Sequence, residues 1–200
     1  MRLLGKPVHL PFSGKKKGGS CCGPNLDVSG DLRRKLIIVG NPNVGKSLVF
    51  NKLTGAYVTV SNYPGTTVEV TRGKSRFGDE DYLVMDTPGM YSLMPITEEE
   101  RAGRDILLNE KPDVVLHVAD AKNLERMLPL TLQLIEAGLP TMLDLNMIDE
   151  SEAAGIALDT VRLEKDLGIP VVATAAATDR GIKNLRKRIE EYVSSRCPAA

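Results

Sequence analysis

Two hundred residues, 42% hydrophobic and 26% charged, describe one globular domain with a sizeable core. The 26 basic and 26 acidic side chains cancel, which excludes a global field that recruits nucleic acid or anionic membrane. No apolar stretch approaches membrane-spanning length, no signal-peptide core opens the chain, and three cysteines do not make a disulfide framework, so a reducing, cytoplasmic setting is the simplest reading.

Residues 1–34 differ from the rest. The stretch Pro11 to Ser20 is rich in Gly, Ser and Lys and lacks periodicity, which predicts a flexible extension. Its adjacent Cys21-Cys22 pair lacks a second Cys/His cluster at metal-site spacing. From Lys35 onward strands and helices alternate. Strands are expected near 35–40, 67–77, 81–86, 113–120, 140–146 and 170–174, and helices near 46–54, 98–109, 123–137, 159–167 and 181–195. Alternation with continuous apolar strands such as Val114-Val115-Leu116 predicts an α/β fold. Its six-stranded sheet would be mostly parallel, with helices on both faces. The short link Gly78-Asp79-Glu80 predicts a hairpin, hence one antiparallel edge strand.

The first strand delivers Gly40-Asn41-Pro42-Asn43-Val44-Gly45-Lys46-Ser47, which fits the phosphate-cradling pattern G-x-x-x-x-G-K-[ST]. Glycines let the backbone wrap phosphates, and a helix N-terminus attracts anions. Lys46 would reach the β- and γ-phosphates, and the Ser47 hydroxyl would hold Mg²⁺. The segment binds a nucleoside triphosphate.

Next comes Tyr57 to Thr67, whose Ser61-Asn62-Tyr63-Pro64-Gly65-Thr66-Thr67 predicts a mobile loop. A threonine there, Thr67 rather than Thr66, would give its hydroxyl to Mg²⁺ and its N–H to the γ-phosphate when GTP is bound. Asp86-Thr87-Pro88-Gly89 ends the strand Tyr82-Leu83-Val84-Met85. Asp86 would hold Mg²⁺ through water, and Gly89 would present its backbone N–H to the γ-phosphate. A second mobile segment would run from Asp86 to about Thr97. His117, inside an apolar strand, reads as a core histidine.

Asn146-Met147-Ile148-Asp149 ends the strand Thr141 to Leu145 and resembles the N-K-x-D element with which GTPases read guanine. The Asp149 carboxylate can accept from guanine N1–H and the exocyclic amine, a pairing that adenine lacks. Met147 stands where lysine is usual. Ala173 to Ala177 precede Gly181, where GTPases often carry Ser-Ala, and the Ala176 N–H would donate to guanine O6.

Together these elements resemble a TRAFAC-class GTPase domain. Ser61 to Glu69, Asp86 to Leu93, Asn123-Leu124-Glu125-Arg126 and Asn146 to Asp149 resemble the N-terminal G domain of FeoB, the bacterial ferrous iron transporter. The likeness covers about residues 35–195, and the domain is set at 35–197. It implies a P-loop GTPase fold and a GTP/GDP cycle that supports Fe²⁺ uptake. By the same likeness the domain sits at the cytoplasmic face of the inner membrane, and its partner is a membrane-embedded Fe²⁺ permease portion. Neither a transmembrane part nor a following helical domain is expected in this chain. The family also implies K⁺, held by an asparagine of the phosphate loop, which here is Asn43. Otherwise Asn43 merely hydrogen-bonds the loop. Lys46, Thr67, Gly89 and Asn43 are thus the expected catalytic residues. Intrinsic turnover is expected to be slow, because Met90 replaces the glutamine that orients water in Ras-like enzymes. Two other classes compete: a ribosome-assembly GTPase similar to Era or Der, and a nucleotide-gated switch with negligible hydrolysis.

Overall fold

A computed structural model describes residues 34–55 and 58–196. The expected extension with its Cys pair lies outside the described residues except for Arg34, as do Tyr57 and the end of the domain at 197.

Among the described residues seven strands form one sheet in the order β2-β3-β4-β1-β5-β6-β7. They are β1 (Arg34–Val39), β2 (Val58–Asn62), β3 (Glu69–Phe77), β4 (Glu80–Asp86), β5 (Val114–Asp120), β6 (Thr141–Asn146) and β7 (Val171–Ala173). Only β3 runs against the others, being antiparallel to both β2 and β4. The expected fold class is the observed one, with a correction to the strand count of six. The extra strand is β2, from a segment expected to be loop. Val58, Thr59 and Val60 supply β-branched residues that suit a strand, and β2 pairs with β3 from Val58↔Gly73 to Asn62↔Glu69. The hairpin strand β3 is therefore not the sheet edge; β2 is.

Among the described residues six α-helices surround the sheet: α1 (Lys46–Leu53), α2 (Glu98–Asn109), α3 (Leu124–Glu136), α4 (Ile148–Ala153), α5 (Thr160–Leu167) and α6 (Ile182–Arg196). The short α4 was not expected. Period-two alternation divides the core. Leu36 and Ile38 of β1 face a cluster that includes Val49 and Phe50 of α1 and Leu185 and Ile189 of α6. Ile37 and Val39 face the opposite cluster, with Ile106 of α2 and Leu130 and Leu134 of α3. Strand β5 is buried from Val114 through Ala119, as a central parallel strand covered on both faces must be. Helix α2 starts on a capping box: the Thr97 hydroxyl accepts from Glu100 N, and the Glu100 carboxylate accepts from Thr97 N, an arrangement worth about 1 kcal/mol.

The consequence for function is positional. The loops after β1, β4, β6 and β7 all leave the carboxyl ends of parallel strands, the edge at which open α/β sheets bind ligands.

Candidate nucleotide site

The loop after β1 is shaped by two glycines at which any side chain would be strained. Gly40 has φ +146°, and a Cβ there would stand 2.2 Å from the Val118 carbonyl oxygen. Gly45 has φ +86°, and its Cβ would stand 2.4 Å from Asn146 Nδ2. Lys46 is buried and its Nζ donates to the Asn41 carbonyl at 2.8 Å, bridging the loop. Asn43 is exposed with φ +64°, and among the described residues its side chain has no hydrogen-bond partner. Asn41 is buried, and its Oδ1 also has none.

Asp86, at the end of β4, accepts from the Ser47 hydroxyl at 2.7 Å through Oδ2, while its Oδ1 is buried without a partner. Burial pushes the Asp86 carboxyl up, against the Ser47 hydrogen bond and the Lys46 charge. Burial likewise pushes Lys46 down, against Asp86. Desolvation outweighs the mutual attraction of the two charges, so the pair is short of countercharge. The donor set fits a small hard cation: a hydroxyl and a carboxylate with one orphaned oxygen, both hard ligands.

The start of the second expected mobile segment is fastened to this loop. Thr87 donates to the Ile38 carbonyl through both N (3.2 Å) and Oγ1 (2.9 Å). Met90 N donates to the Gly40 carbonyl at 3.1 Å. Gly89 lies against Pro42, whose Cγ would stand 2.7 Å from a Cβ at 89. The Met90 side chain points away from the site and is fully buried. Farther on, Glu100 accepts from Tyr91 N at 3.2 Å and Ile96 N at 2.9 Å.

Thr67 is not brought to Ser47 and Asp86. It lies on the tip of the β2–β3 hairpin, closed by Tyr63 N to the Val68 carbonyl at 2.9 Å. With Pro88 and Thr97 it lines a cleft of about 630 Å³. Thr66 is turned inward on the tip, its hydroxyl donating to the Tyr63 carbonyl at 3.0 Å. The ring of Tyr63 packs on the core beside α2, and Asn109 Nδ2 donates to its hydroxyl at 3.4 Å. The segment expected to be a loop is therefore a hairpin over its described part.

Asn146 joins two loops. Its Nδ2 donates to the Val44 carbonyl at 2.9 Å, and its Oδ1 accepts from Ala176 N at 3.0 Å. The Ala176 N–H, expected to serve guanine O6, is thus engaged with Asn146. Met147 adopts φ +61°, and its Cε comes 3.8 Å from where a Gly45 Cβ would lie. That puts the thioether over the phosphate loop. Asp149 is half-buried at the start of α4 and accepts from Glu150 N at 3.0 Å. Ion pairs brace this corner: Glu150 with Lys122, and Glu152 with Arg180 at 2.6 Å.

Sequence reasoning missed two buried groups. Asp144 on β6 is fully buried and accepts from Thr174 Oγ1 at 2.7 Å; a lone carboxylate in an apolar strand was the available signal. Thr87 was read only as part of a turn. His117 is fully buried as expected, with Nδ1 2.9 Å from Thr131 Oγ1. Burial first, and the Lys46 charge second, push its imidazole down to about 3, so it is neutral.

Comparison with known proteins agrees with this fold. The family model described as ferrous iron transport protein B matches residues 34–189. A curated Fe(2+) transport protein A/Fe(2+) transporter FeoB fusion protein of Porphyromonas gingivalis is 47% identical over 152 residues, 76% of this chain and 18% of the relative. The Fe(2+) transporter FeoB of Escherichia coli K12 is 39% identical over 159 residues, 78% of this chain and 21% of the relative. The chain thus spans about a fifth of the length of these relatives. Among solved structures, the FeoB G-domain of Methanococcus jannaschii is 42% identical with a TM-score of 0.71, covering 80% of this chain and 97% of that one. The cytosolic domain of the T. maritima FeoB iron transporter in a GDP form is 39% identical with a TM-score of 0.77, covering 80% and 63%.

Proposed function

The chain belongs to the ferrous iron transport protein B family as its N-terminal G domain, and from that premise we propose how its residues bind and hydrolyse GTP and what that cycle serves. The family sets aside the ribosome-assembly reading. The observation that carries the mechanism is the convergence of Lys46, the Ser47–Asp86 pair and Asn146 around one loop.

Lys46 leaves the Asn41 carbonyl for the β- and γ-phosphates, where its charge gains more than one carbonyl dipole offers. The backbone N–H groups of Asn43 to Ser47 face the phosphates at the α1 N-terminus. Asn146 ties the phosphate loop to the loop after β7, so the base and the phosphates are read by one rigid frame. The Asp149 carboxylate takes the guanine edge, and Met147 covers it. Ser47 and Asp86 would hold Mg²⁺, Asp86 through water, and Mg²⁺ there would neutralise charge on the β- and γ-phosphates. Thr67 would join them once the hairpin tip swings in, and Gly89 would donate its N–H to the γ-phosphate. Asn43, with a free side-chain carbonyl, would hold K⁺. Intrinsic turnover is slow, because Met90 is buried and the orienting of water falls to the backbone, to other polar groups of these segments or to a partner.

By membership the domain is the nucleotide-responsive part of an Fe²⁺ transporter. It acts at the cytoplasmic face of the inner membrane with a membrane-embedded permease portion, and residues 35–197 make up the domain. Among the described residues no helix is long and apolar enough to cross a membrane. Phosphate release from GTP, measured with Mg²⁺ and with the metal chelated, tests the reading. Turnover that is slow, metal-dependent and lost in Lys46→Ala is expected; metal-independent turnover, or turnover kept in Lys46→Ala, would overturn it.

A further inference from the structure

Behind Asn146, which joins the two loops of the nucleotide site, lies a carboxylate that the mechanism does not use. Asp144 stands on β6, in register with Val118 of β5 and Val172 of β7. It is fully buried. Its Oδ1 is 2.7 Å from Thr174 Oγ1, and its Oδ2 has no partner. The same Thr174 Oγ1 is 3.3 Å from Asn146 Oδ1.

The Thr174 backbone is held on both sides. Its N–H donates to the Leu145 carbonyl at 2.9 Å, and its own carbonyl accepts from Ile148 N at 3.0 Å. Both bonds fix it to the two ends of the Asn146 turn. Its hydroxyl oxygen is within reach of both acceptors, and a hydroxyl has one proton to give. If Asp144 is ionised, that proton goes to Asp144, and two oxygen lone pairs face each other between Thr174 and Asn146. If Asp144 is protonated, it donates to Thr174 Oγ1. The Thr174 proton is then released to Asn146 Oδ1, which holds the amide with Nδ2 toward the phosphate loop and the base.

We propose that Asp144 is a positioning residue for guanine recognition, acting through Thr174 on the Asn146 amide, and that its protonated form is the tight-binding one. The inference rests on the reading of Asn146 as part of the nucleotide site.

The surroundings let Asp144 change state near neutrality. Burial pushes its carboxyl up to about 7, with the Thr174 hydrogen bond opposing. Several charged side chains on the helices over this face are engaged elsewhere. Lys46 bonds the Asn41 carbonyl, Lys52 pairs with Asp179, Glu164 with Arg188, and Arg186 bonds the Leu53 carbonyl. Affinity should therefore be full at pH 6 and fall as pH rises through about 7.

The test is the affinity of a fluorescent GDP analogue between pH 6 and 8, with folding followed by thermal melting at each pH. The natural chain should lose about fivefold across that range, the worth of one net hydrogen bond. Asp144→Asn, whose amide donates to Thr174 permanently, should bind tightly at every pH. Thr174→Val should bind weakly at every pH, and Thr174→Ser should restore both affinity and pH dependence. A flat natural profile with Asp144→Asn equal to it would overturn the relay while leaving the nucleotide site intact. No binding of GDP at any pH would overturn both.

Discussion

The Met90 side chain fills the notch left by Gly103: a Cβ on Gly103 would stand 2.4 Å from Met90 Cε. Met90 is thereby a core residue of the α2 face, although its neighbour Gly89 borders the phosphate loop. Met90→Ala should cost about 2–5 kcal/mol of stability, as for a buried large-to-small change, yet leave turnover per folded molecule within a few-fold. Thr67→Ala, at an exposed hairpin tip, should do the reverse, moving stability by no more than about 0.5 kcal/mol while lowering turnover substantially. Thermal melts beside phosphate-release rates decide it; the opposite pattern would return the water-orienting role to Met90.

Guanine selection should rest on Asp149. Asp149→Asn should weaken GTP binding strongly and improve binding of xanthosine triphosphate, because the amide offers a donor where xanthine has a carbonyl. Competitive titration of both nucleotides measures this. Unchanged GTP affinity would remove Asp149 from the base site.

Asn43 should matter to catalysis through a monovalent cation. Its side chain is exposed on a left-handed residue and does not bond the loop it sits in, which leaves its carbonyl for a ligand. The arginines of β3 are occupied, Arg72 with Ser61 Oγ at 2.6 Å and Arg76 with Asp81 at 3.8 Å. GTP hydrolysis should be faster in K⁺ than in Na⁺ at equal ionic strength, and Asn43→Ala should abolish the difference. Equal rates with nucleotide binding intact would leave Asn43 a loop residue only.

Glu100 should hold the second mobile segment to α2. It accepts from the backbone of Ile96, Tyr91 and Thr97, and these bonds, Ile96 first, hold its carboxyl below the usual 4.5. A depressed folded value means that the stabilisation is present above pH 4.5 and lost as pH falls through the lower value. Glu100→Ala should cost about 1–2 kcal/mol and speed amide exchange at Tyr91 and Ile96. Unchanged exchange there would mean that other contacts fix the segment.

The sequence by itself determined the fold class, the phosphate loop and the order of the nucleotide motifs. Each of these is written in local chemistry: glycines at positive φ, an apolar run ending in Asp86, another ending in Asn146. A strand or a loop glycine is specified within a few residues, so one chain suffices to read it. Tertiary structure alone decided the rest. The pairing of β2 with β3 turned an expected loop into a sheet edge, because a strand exists only once a partner supplies its hydrogen bonds. The Met90–Gly103 packing sent a side chain into the core that local position would have left at the phosphates. Asn146 took the Ala176 N–H, and Asp144 met Thr174, across 30 residues of chain. Such contacts depend on which strands lie side by side, and no local pattern records that.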